Sequence, residues 1–348
     1  MKQRLIESVR RVKRLRHRLG LFGRPHAVAL MYHRIATPSA DPWDLSVSPQ
    51  HFAEHLSVLR DWAACRSFGD LVAALDAPNR PHRLAAVTFD DGYRDNLESA
   101  LPLLGAHDVP ATVFVVSGVI GAPREFWWDA LTRVFLATPE LPETLELATP
   151  AGPRIWRLGA AARCAPAQMR ALARARFPFD AGIHPRMQVL AQVREALVEA
   201  SKAEAEALAD AVLDWAGLAR SGAHGDQSMT ETELCALAAS GLVEIGAHTV
   251  THRALDQLSR PDALDELCGS RDALREVVGR EIKSFSYPYG RFGPDTPGLV
   301  AEAGFSAACT IIEGVAVGAI DPYRFPRIFV RNWDGDAFAR VIRDFAGP

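Results

Sequence analysis

The sequence predicts an α/β fold in which parallel β-strands alternate with helices. Short, largely apolar runs, as at residues 84–89 and 242–247, end abruptly on polar residues and turn formers. Apolar runs of this length are typical of parallel strands that are covered on both faces. Between them, apolar residues recur at three- and four-residue spacing, as at residues 50–62, which indicates amphipathic helices. The 348 residues, 48% of them hydrophobic, suffice to bury a full core.

Each element is predicted from its own signal along the chain. Residues 28–32 form the first apolar run and are predicted as the first strand, with His33 at its carboxyl end. Ser259-Arg260-Pro261 is typical of a helix start and Gly279 of a helix stop, so a helix is predicted between them. The other predicted strands lie at residues 84–89 and 111–116, before His248, from residue 284, near 305–311 and around Arg327. The other predicted helices lie at residues 50–62, 68–76, 95–106, 230–240 and 296–303.

Residues 123–228 interrupt the tight alternation of strands and helices. The segment is rich in alanine and arginine, and helical patterns occur at residues 165–176 and 191–216. We therefore predict a mainly helical insertion within an α/β domain that spans residues 26–348.

Residues 1–25 differ sharply from the rest of the chain in charge. The whole chain has a formal charge of −3, but this segment contains nine lysines and arginines against the single acid Glu7. Its apolar residues recur at helical spacing, which predicts a basic amphipathic helix. Two interpretations stay open: peripheral contact of residues 1–22 with anionic lipid, or a helix docked on the domain with a solvated basic face. Neither a secretion signal nor a span-length apolar run is found, so a cytoplasmic protein is expected.

Composition argues against several other classes of protein. The five cysteines are scattered and odd in number, which favours buried thiols in a reducing compartment over a disulfide framework or a cysteine metal site. No phosphate-binding glycine loop, no Gly-x-Ser-x-Gly elbow and no nucleic-acid-binding module is present, so no nucleic-acid partner is expected.

Two adjacent carboxylates, Asp90 and Asp91, follow the strand at residues 84–89. The carboxyl ends of parallel strands are where α/β sheets and barrels place their chemistry. Neighbouring strand residues point to opposite sides, so one carboxylate can bind a metal while the other serves as a base. The alternative is an Asp-Asp-Gly turn with solvated acids.

Two histidines, His248 and His252, follow another strand at the spacing i and i+4. This spacing puts both imidazoles on one face of a helical turn, as a divalent metal requires. A further strand runs into the turn Pro288-Tyr289-Gly290, which can aim a backbone N–H at a developing oxyanion.

These stretches together resemble a known family. Thr88-Phe89-Asp90-Asp91-Gly92, His248-Thr249-Val250-Thr251-His252 and Tyr287-Pro288-Tyr289-Gly290 are similar to the first three motifs of the polysaccharide deacetylases (NodB-like, carbohydrate esterase family 4), in that family's order. The resemblance covers about residues 27–335 and implies a distorted (β/α)7-type barrel.

The resemblance implies metal-assisted amide hydrolysis. Asp91, His248 and His252 would hold one divalent ion; zinc suits these ligands best, and cobalt, nickel, iron or manganese fits them as well. Asp90 would take the proton of the attacking water, and the backbone N–H of Tyr289 would hold the oxyanion.

The chain departs from the commonest family layout at two positions. Many members carry a general-acid histidine near the C-terminus, but no histidine follows His252 here. The segment Met31-Tyr32-His33-Arg34-Ile35 resembles the opening of the exopolysaccharide poly-N-acetylglucosamine deacetylase branch, which implies that His33 is the acid; a structural strand-end residue is the alternative. Ser286 stands where many relatives have an arginine that orients the catalytic carboxylate. Arg327 is predicted to supply that charge, with a surface salt bridge as the alternative.

The resemblance implies a metal-dependent de-N-acetylase that acts on an exopolysaccharide, a capsule or a lipid-linked glycan. Tyr287, Pro288 and Trp43 are predicted to contact the substrate. Three alternatives stay open: a same-fold hydrolase of a non-sugar amide, an exported peptidoglycan deacetylase, and an inactive glycan-binding protein with Trp43, Trp127 and Trp128 as stacking platform. For Trp127 and Trp128, packing at the root of the insertion competes with sugar stacking.

Overall fold

The computed structural model describes residues 26–75, 77, 81–177, 184–220, 227–318 and 320–347. The predicted basic helix at residues 1–25 lies outside the described residues. The described residues divide into two compact units: the first lies within residues 26–36, 47–120 and 229–347, and the second within residues 37–46 and 121–228. No helix among the described residues combines the length and the apolar character that crossing a membrane requires.

The first unit is built on a closed barrel of seven parallel strands. Each strand pairs with the next along the chain, and the first pairs with the last. The barrel strands are β1 (His26–Tyr32), β2 (Arg83–Phe89), β3 (Ala111–Val115), β4 (Val243–Ala247), β5 (Ser284–Ser286), β6 (Ala307–Glu313) and β7 (Phe325–Phe329). The predicted (β/α)7-type barrel is thus confirmed. It is distorted where β4 and β5 share one residue pair and where the register of β6 against β7 shifts.

Helices follow most of the barrel strands. The predicted helix after Ser259 is present as Arg260–Val278, with the Ser259 hydroxyl as N-cap and Gly279 in the left-handed conformation at its end. The helices of this unit are Pro49–Trp62, Phe68–Ala74, Leu101–His107, Glu231–Ala239, Arg260–Val278, Thr296–Glu302 and Gly335–Ala346, with a π-helical turn at Asn96–Ala100. Short strands occur at Arg34–Ile35, Ser46–Val47, Ala64–Cys65 and Ala316–Val317, and 3-10 turns at Ser117–Val119, Leu255–Gln257, Pro288–Gly290 and Pro322–Arg324.

Side chains alternate between the two faces of each barrel strand, and each face belongs to a different apolar cluster. One face of the barrel strands packs against the helices, as Val87 and Phe89 do, and the other face packs with Phe114 and Phe325. Because side chains alternate along a strand, Thr88 and Asp90 continue the second face beyond these apolar residues. The strand therefore delivers Asp90 to the inner side of the barrel at its carboxyl end.

The sequence predicts a mainly helical insertion, and the described part of the second unit contains helices and, in addition, a pair of strands. An antiparallel hairpin, Thr144–Thr149 with Gly152–Arg157, was missed, although its apolar residues alternate. The helical pattern predicted at residues 191–216 is two helices, because Ser201 starts a second one with a capping box to Glu204. The helices of this unit are Trp127–Thr132, Pro166–Ala173, Pro185–Glu199 and Lys202–Ala216, with a π-helical turn at Arg133–Ala137 and a 3-10 turn at Gly159–Ala162.

Trp43 belongs to this second unit and serves its packing. The indole nitrogen donates to the Thr132 hydroxyl at 3.1 Å and to the Trp128 carbonyl at 3.3 Å. The guanidinium of Arg194 lies over the ring, 5.4 Å from its centroid. These contacts give Trp43 a structural role, and its substrate contact stays a prediction. Trp128 is likewise buried and stacks on Phe126, as the packing interpretation expects.

Candidate active site

Asp90 and Arg327 form a buried ion pair at the carboxyl end of the barrel. The two guanidinium NH groups bond to the two carboxylate oxygens at 2.8 and 2.7 Å, a bidentate arrangement. Arg327 has no exposed surface, so the alternative of a surface salt bridge is wrong. Ser286 completes the contact: its hydroxyl accepts from Arg327 at 3.0 Å and lies 3.3 Å from Asp90 Oδ2. A serine here leaves space for a guanidinium that arrives from β7.

The ion pair determines the ionisation state of Asp90. Burial by itself raises the pKa of this carboxyl, but the charge and hydrogen bonds of Arg327 outweigh burial and hold the pKa well below its ordinary value. The pKa of Arg327 is raised, because attraction to Asp90 exceeds the opposing effect of burial. Asp90 is therefore a carboxylate in spite of its burial, as a base must be.

The two histidines lie on a loop, not on the helical turn that their spacing suggested. The loop leaves β4, and both Thr249 and His252 have left-handed backbone conformations, with φ of 63° and 59°. Asp91 is also left-handed, with φ of 76°, and this turn reverses its side chain relative to that of Asp90. The left-handed conformations of Asp91, Thr249 and His252 bring the Asp91 carboxylate and both imidazoles together.

The three groups converge as ligands of one ion would. Asp91 Oδ1 lies 3.6 Å from His248 Nε2 and 3.4 Å from His252 Nε2. These distances are long for hydrogen bonds, but two ligands at about 2.0–2.2 Å from one tetrahedral ion lie about 3.3–3.6 Å apart. One potential ligand atom from each residue lies within 4.8 Å of the others, and no second such cluster occurs in the part of the chain that the structure describes.

A neighbouring carbonyl fixes the tautomer of His248. Its Nδ1 lies 2.7 Å from the carbonyl oxygen of Ser286, which can only accept, so Nδ1 carries the proton. Nε2 is then the lone-pair nitrogen that faces Asp91, the arrangement usual for metal-binding histidines. One carboxylate and two imidazoles fit zinc and the other divalent transition metals, and the site fits such an ion.

His33 lies at the end of β1, where the sequence placed it. Asp90 is anchored to this strand, since its N–H donates to the Tyr32 carbonyl at 3.0 Å. Among the described residues, no hydrogen-bond partner is found for the buried Nδ1 of His33. Burial lowers the pKa of His33 to about 4, more than the charge of Asp90 raises it. The imidazole is therefore neutral at pH 7.

The turn Pro288–Gly290 follows β5. Tyr289 has φ of 55°, and its ring meets the His252 ring edge-on, with centroids 4.6 Å apart. Tyr287 does not reach a substrate: it is 1% exposed, and its hydroxyl donates to the Tyr323 carbonyl at 2.9 Å. Pro288 is also buried. The substrate contact predicted for the Tyr287 side chain is therefore wrong.

Two supporting side chains were missed by the sequence analysis. Asn96 donates to the His33 carbonyl at 2.9 Å from the π-helical turn. Glu266, on helix Arg260–Val278, accepts hydrogen bonds from the backbone between the two histidines. Neither residue belongs to a recognised motif, so only their contacts reveal them.

The sequence and the site both match one family. The profile of the polysaccharide deacetylase family matches residues 77–148 and 218–308, which include all three motifs but neither His33 nor Arg327. The chain is therefore similar to the polysaccharide deacetylases, a family of hydrolases that act on amide bonds. YxkH of Bacillus subtilis, which is provisionally named a polysaccharide deacetylase, is 31% identical over 94 residues. That match covers 26% of this chain and only 32% of the relative.

Solved structures share the fold over almost the whole chain. The Streptococcus pyogenes deacetylase PplD, in complex with acetate, is 17% identical with a TM-score of 0.57, and the match covers 91% of this chain and 98% of that one. IcaB from Ammonifex degensii is 18% identical with a TM-score of 0.57, over 93% and 98% of the two chains. The BpsB deacetylase domain of Bordetella bronchiseptica is 19% identical with a TM-score of 0.51, over 88% and 96%. At these identities the likeness concerns the fold.

Proposed function

We propose that this protein is a metal-dependent de-N-acetylase of N-acetylated sugars. The observation that carries the proposal is the pairing of two differently held aspartates: Asp90 is neutralised by Arg327, and Asp91 faces His248 and His252. A base beside a set of metal ligands suits hydrolysis of an unactivated amide. An inactive glycan-binding protein has no need of such a pair.

The residues have separate tasks in the proposed reaction. An ion held by Asp91, His248 and His252 would acidify a water and polarise the acetyl carbonyl. Asp90, oriented by Arg327, takes the proton of the attacking water. The backbone N–H of Tyr289 contributes to stabilising the negative charge that develops on the acetyl oxygen.

His33 supplies the proton to the leaving nitrogen in this proposal. With a pKa of about 4 it is neutral before the reaction, so it cannot start as the donor at pH 7. Negative charge on the substrate favours the imidazolium, and we infer that the proton which Asp90 takes from the water passes to His33 as that charge develops, and from His33 to the nitrogen as the C–N bond breaks. The amine then leaves protonated.

The proposed substrate is an N-acetylhexosamine in an exopolysaccharide, a capsule or a lipid-linked glycan. The fold of IcaB and of the BpsB deacetylase domain supports this class, and the acetate in PplD is the product that deacetylation releases. We propose zinc as the ion, because a carboxylate and two imidazoles are zinc ligands.

Acetate release tests the function. Zinc-loaded wild type and Asp90→Asn are compared on N-acetylglucosamine oligomers and on lipid-linked N-acetyl sugars. We expect release by the wild type and a loss of at least 100-fold in Asp90→Asn, with zinc still bound to the variant. Tight zinc binding without acetate release from any sugar would favour a same-fold hydrolase of another amide.

A cytoplasmic location with residues 1–22 on the inner face of the membrane is part of the proposal. It is supported by the nine basic residues of residues 1–25. The test is co-sedimentation of the full chain with phosphatidylserine vesicles, with glutamine at Arg10, Arg11, Lys13 and Arg14 as the comparison. Binding that is lost in the variant and at high salt is expected. Equal sedimentation of both proteins would favour the docked helix.

A further inference from the structure

The loop between the two ligand histidines is held in a conformation that its sequence does not favour. Thr249 and His252 both occupy the left-handed region, and neither is glycine. The left-handed conformation is disfavoured for any residue that has a Cβ. Contacts from outside the loop must therefore stabilise it.

Glu266 supplies the largest set of these contacts. Its Oε2 accepts from the N–H groups of Val250 at 2.8 Å and Thr251 at 2.9 Å, and its Oε1 accepts from the Thr251 hydroxyl. All the hydrogen-bond partners of this carboxylate, among the described residues, belong to the loop. Successive backbone N–H groups next to a left-handed residue form a concave anion site, which the carboxylate fills.

Two glycines let the neighbouring elements approach the same loop. A Cβ on Gly269, one turn along the helix from Glu266, would lie 3.1 Å from the Val250 side chain. On the other side, Gly118 donates its N–H to the Val250 carbonyl at 2.9 Å, and a Cβ there would overlap that oxygen. The loop is thus clamped between helix Arg260–Val278 and the end of β3.

A further bond transmits the clamp to the second histidine. The N–H of His252 donates to the Thr249 hydroxyl at 2.9 Å, within the segment that Glu266 holds. A shift of Val250 or Thr251 would therefore move His252 relative to Asp91, whereas His248 has its own anchor at Ser286. The backbone bond of His252 thus ties this histidine to the segment that Glu266 holds.

We propose that Glu266 is a positioning residue for the metal site, which holds His252 ready to bind the ion. The inference rests on the proposed function in one respect, namely that Asp91, His248 and His252 are the ligands. Outer contacts of this kind typically account for about 10- to 100-fold in metal affinity.

The test measures zinc affinity by competition with a chromophoric chelator. Glu266→Ala is expected to bind zinc about 10- to 100-fold more weakly than wild type. Asp265→Ala is the matched control: Asp265 is the adjacent, exposed acid of the same helix, so the variant loses the same charge without touching the loop. It is expected to bind zinc like the wild type. At saturating zinc, Glu266→Ala is expected to regain most of its kcat.

Three results would overturn the proposal, and they can be told apart. Equal zinc affinity of folded Glu266→Ala and wild type would refute the positioning role and leave the proposed function intact. Equal losses in Glu266→Ala and Asp265→Ala would reduce the effect to net charge. A wild type that binds no zinc would show that these residues do not form a zinc site.

A second variant serves if Glu266→Ala does not fold. Thr251→Val loses only the hydroxyl bond to Glu266, and unchanged zinc affinity of this variant also counts against the proposal.

Discussion

Arg327 uses every N–H of its guanidinium in the barrel. Besides the two bonds to Asp90, Nε donates to the Thr310 carbonyl at 2.9 Å, and the remaining N–H groups reach Thr88 and Ser286 at 3.1 and 3.0 Å. A lysine has three donors and cannot reproduce this planar set. The arginine therefore stabilises the charge of Asp90 and fixes its orientation at once.

Replacement of Arg327 is expected to change both the pH dependence and the stability of the protein. Because Arg327 lowers the pKa of Asp90, Arg327→Met raises that pKa, and the acidic limb of the rate profile moves to higher pH. Leaving one charge buried without its partner costs about 3–5 kcal/mol of unfolding free energy. The measurements are kcat against pH and chemical denaturation. An acidic limb at the same pH in both proteins would exclude Asp90 as the titrating base.

His55 is a buried histidine that contributes to stability only while it is neutral. Its Nε2 donates to the Trp333 carbonyl at 2.8 Å, and its Nδ1 lies 3.2 Å from the Tyr32 hydroxyl. Burial lowers its pKa from 6.5 to about 4. The unfolded chain therefore binds a proton at a higher pH than the folded chain does.

We expect the unfolding free energy to fall as the pH is lowered from about 6.5 to about 4, by roughly 3 kcal/mol from His55. His55→Gln can keep a donor for Trp333 but does not titrate. His33 and His248, whose pKa values are also lowered, remain in both proteins, so the difference in slope isolates His55. Urea denaturation at several pH values measures it, and parallel curves would contradict the assignment.

The residues of the candidate site could be found from the sequence because their types and spacing are unusual. Asp90, Asp91, His248 and His252 follow apolar runs, and such runs end at one edge of a parallel barrel. The loop conformation could not be found, since i and i+4 fits a helical turn as well. Thr249 is left-handed, and Glu266, which holds the backbone of the next two residues, lies on the following helix, so no signal within the loop reveals this conformation.

At the scale of elements, the turn after β5 depends on a close contact with β6. Gly290 has φ of 63°, and a Cβ there would overlap the Ile311 side chain. Ile311 and Ile312 lie where the register of β6 shifts, and both are substantially exposed. The packing of this irregular strand thus determines where Tyr289 sits.

Gly290→Ala is expected to destabilise the protein by more than a left-handed alanine alone does. The conformation costs about 1–2 kcal/mol, and the overlap adds about 1–3 kcal/mol. Gly241→Ala is the control, because Gly241 has φ of 75° and no heavy atom of the described structure lies within 4 Å of its Cβ position. Thermal denaturation compares the two variants. Equal losses would mean that Ile311 moves aside without cost.

The strands and helices of the barrel could be predicted from the sequence because the pattern of apolar residues matches the pattern of burial there. The elements of the second unit were predicted less completely. The hairpin Thr144–Thr149 with Gly152–Arg157 has a clear alternation, but its neighbours are strongly helical in pattern. Trp43 has no local signal for its role, since its partners Thr132 and Arg194 are distant in sequence. Contacts between residues distant in sequence determine both the hairpin and the role of Trp43.

At the scale of the molecule, the candidate metal site joins elements that are far apart in the chain. Asp91 follows β2, and both histidines follow β4, with β3 between these two strands in the barrel. An ion at this site would bind the folded protein and not the unfolded chain. Its binding energy therefore adds to the stability of the barrel.

Zinc at 100 times its dissociation constant is expected to raise the unfolding free energy of the wild type by about 2.7 kcal/mol. Asp90→Asn should retain this increase, because Asp90 is not a ligand. His252→Ala should lose most of it, since only two ligands remain, and Glu266→Ala should need more zinc for the same increase. Denaturation of chelator-treated and zinc-loaded protein measures all four. An equal zinc effect in wild type and His252→Ala would place the ion elsewhere, whereas an effect lost in Asp90→Asn would assign that carboxylate to the metal instead of to the base.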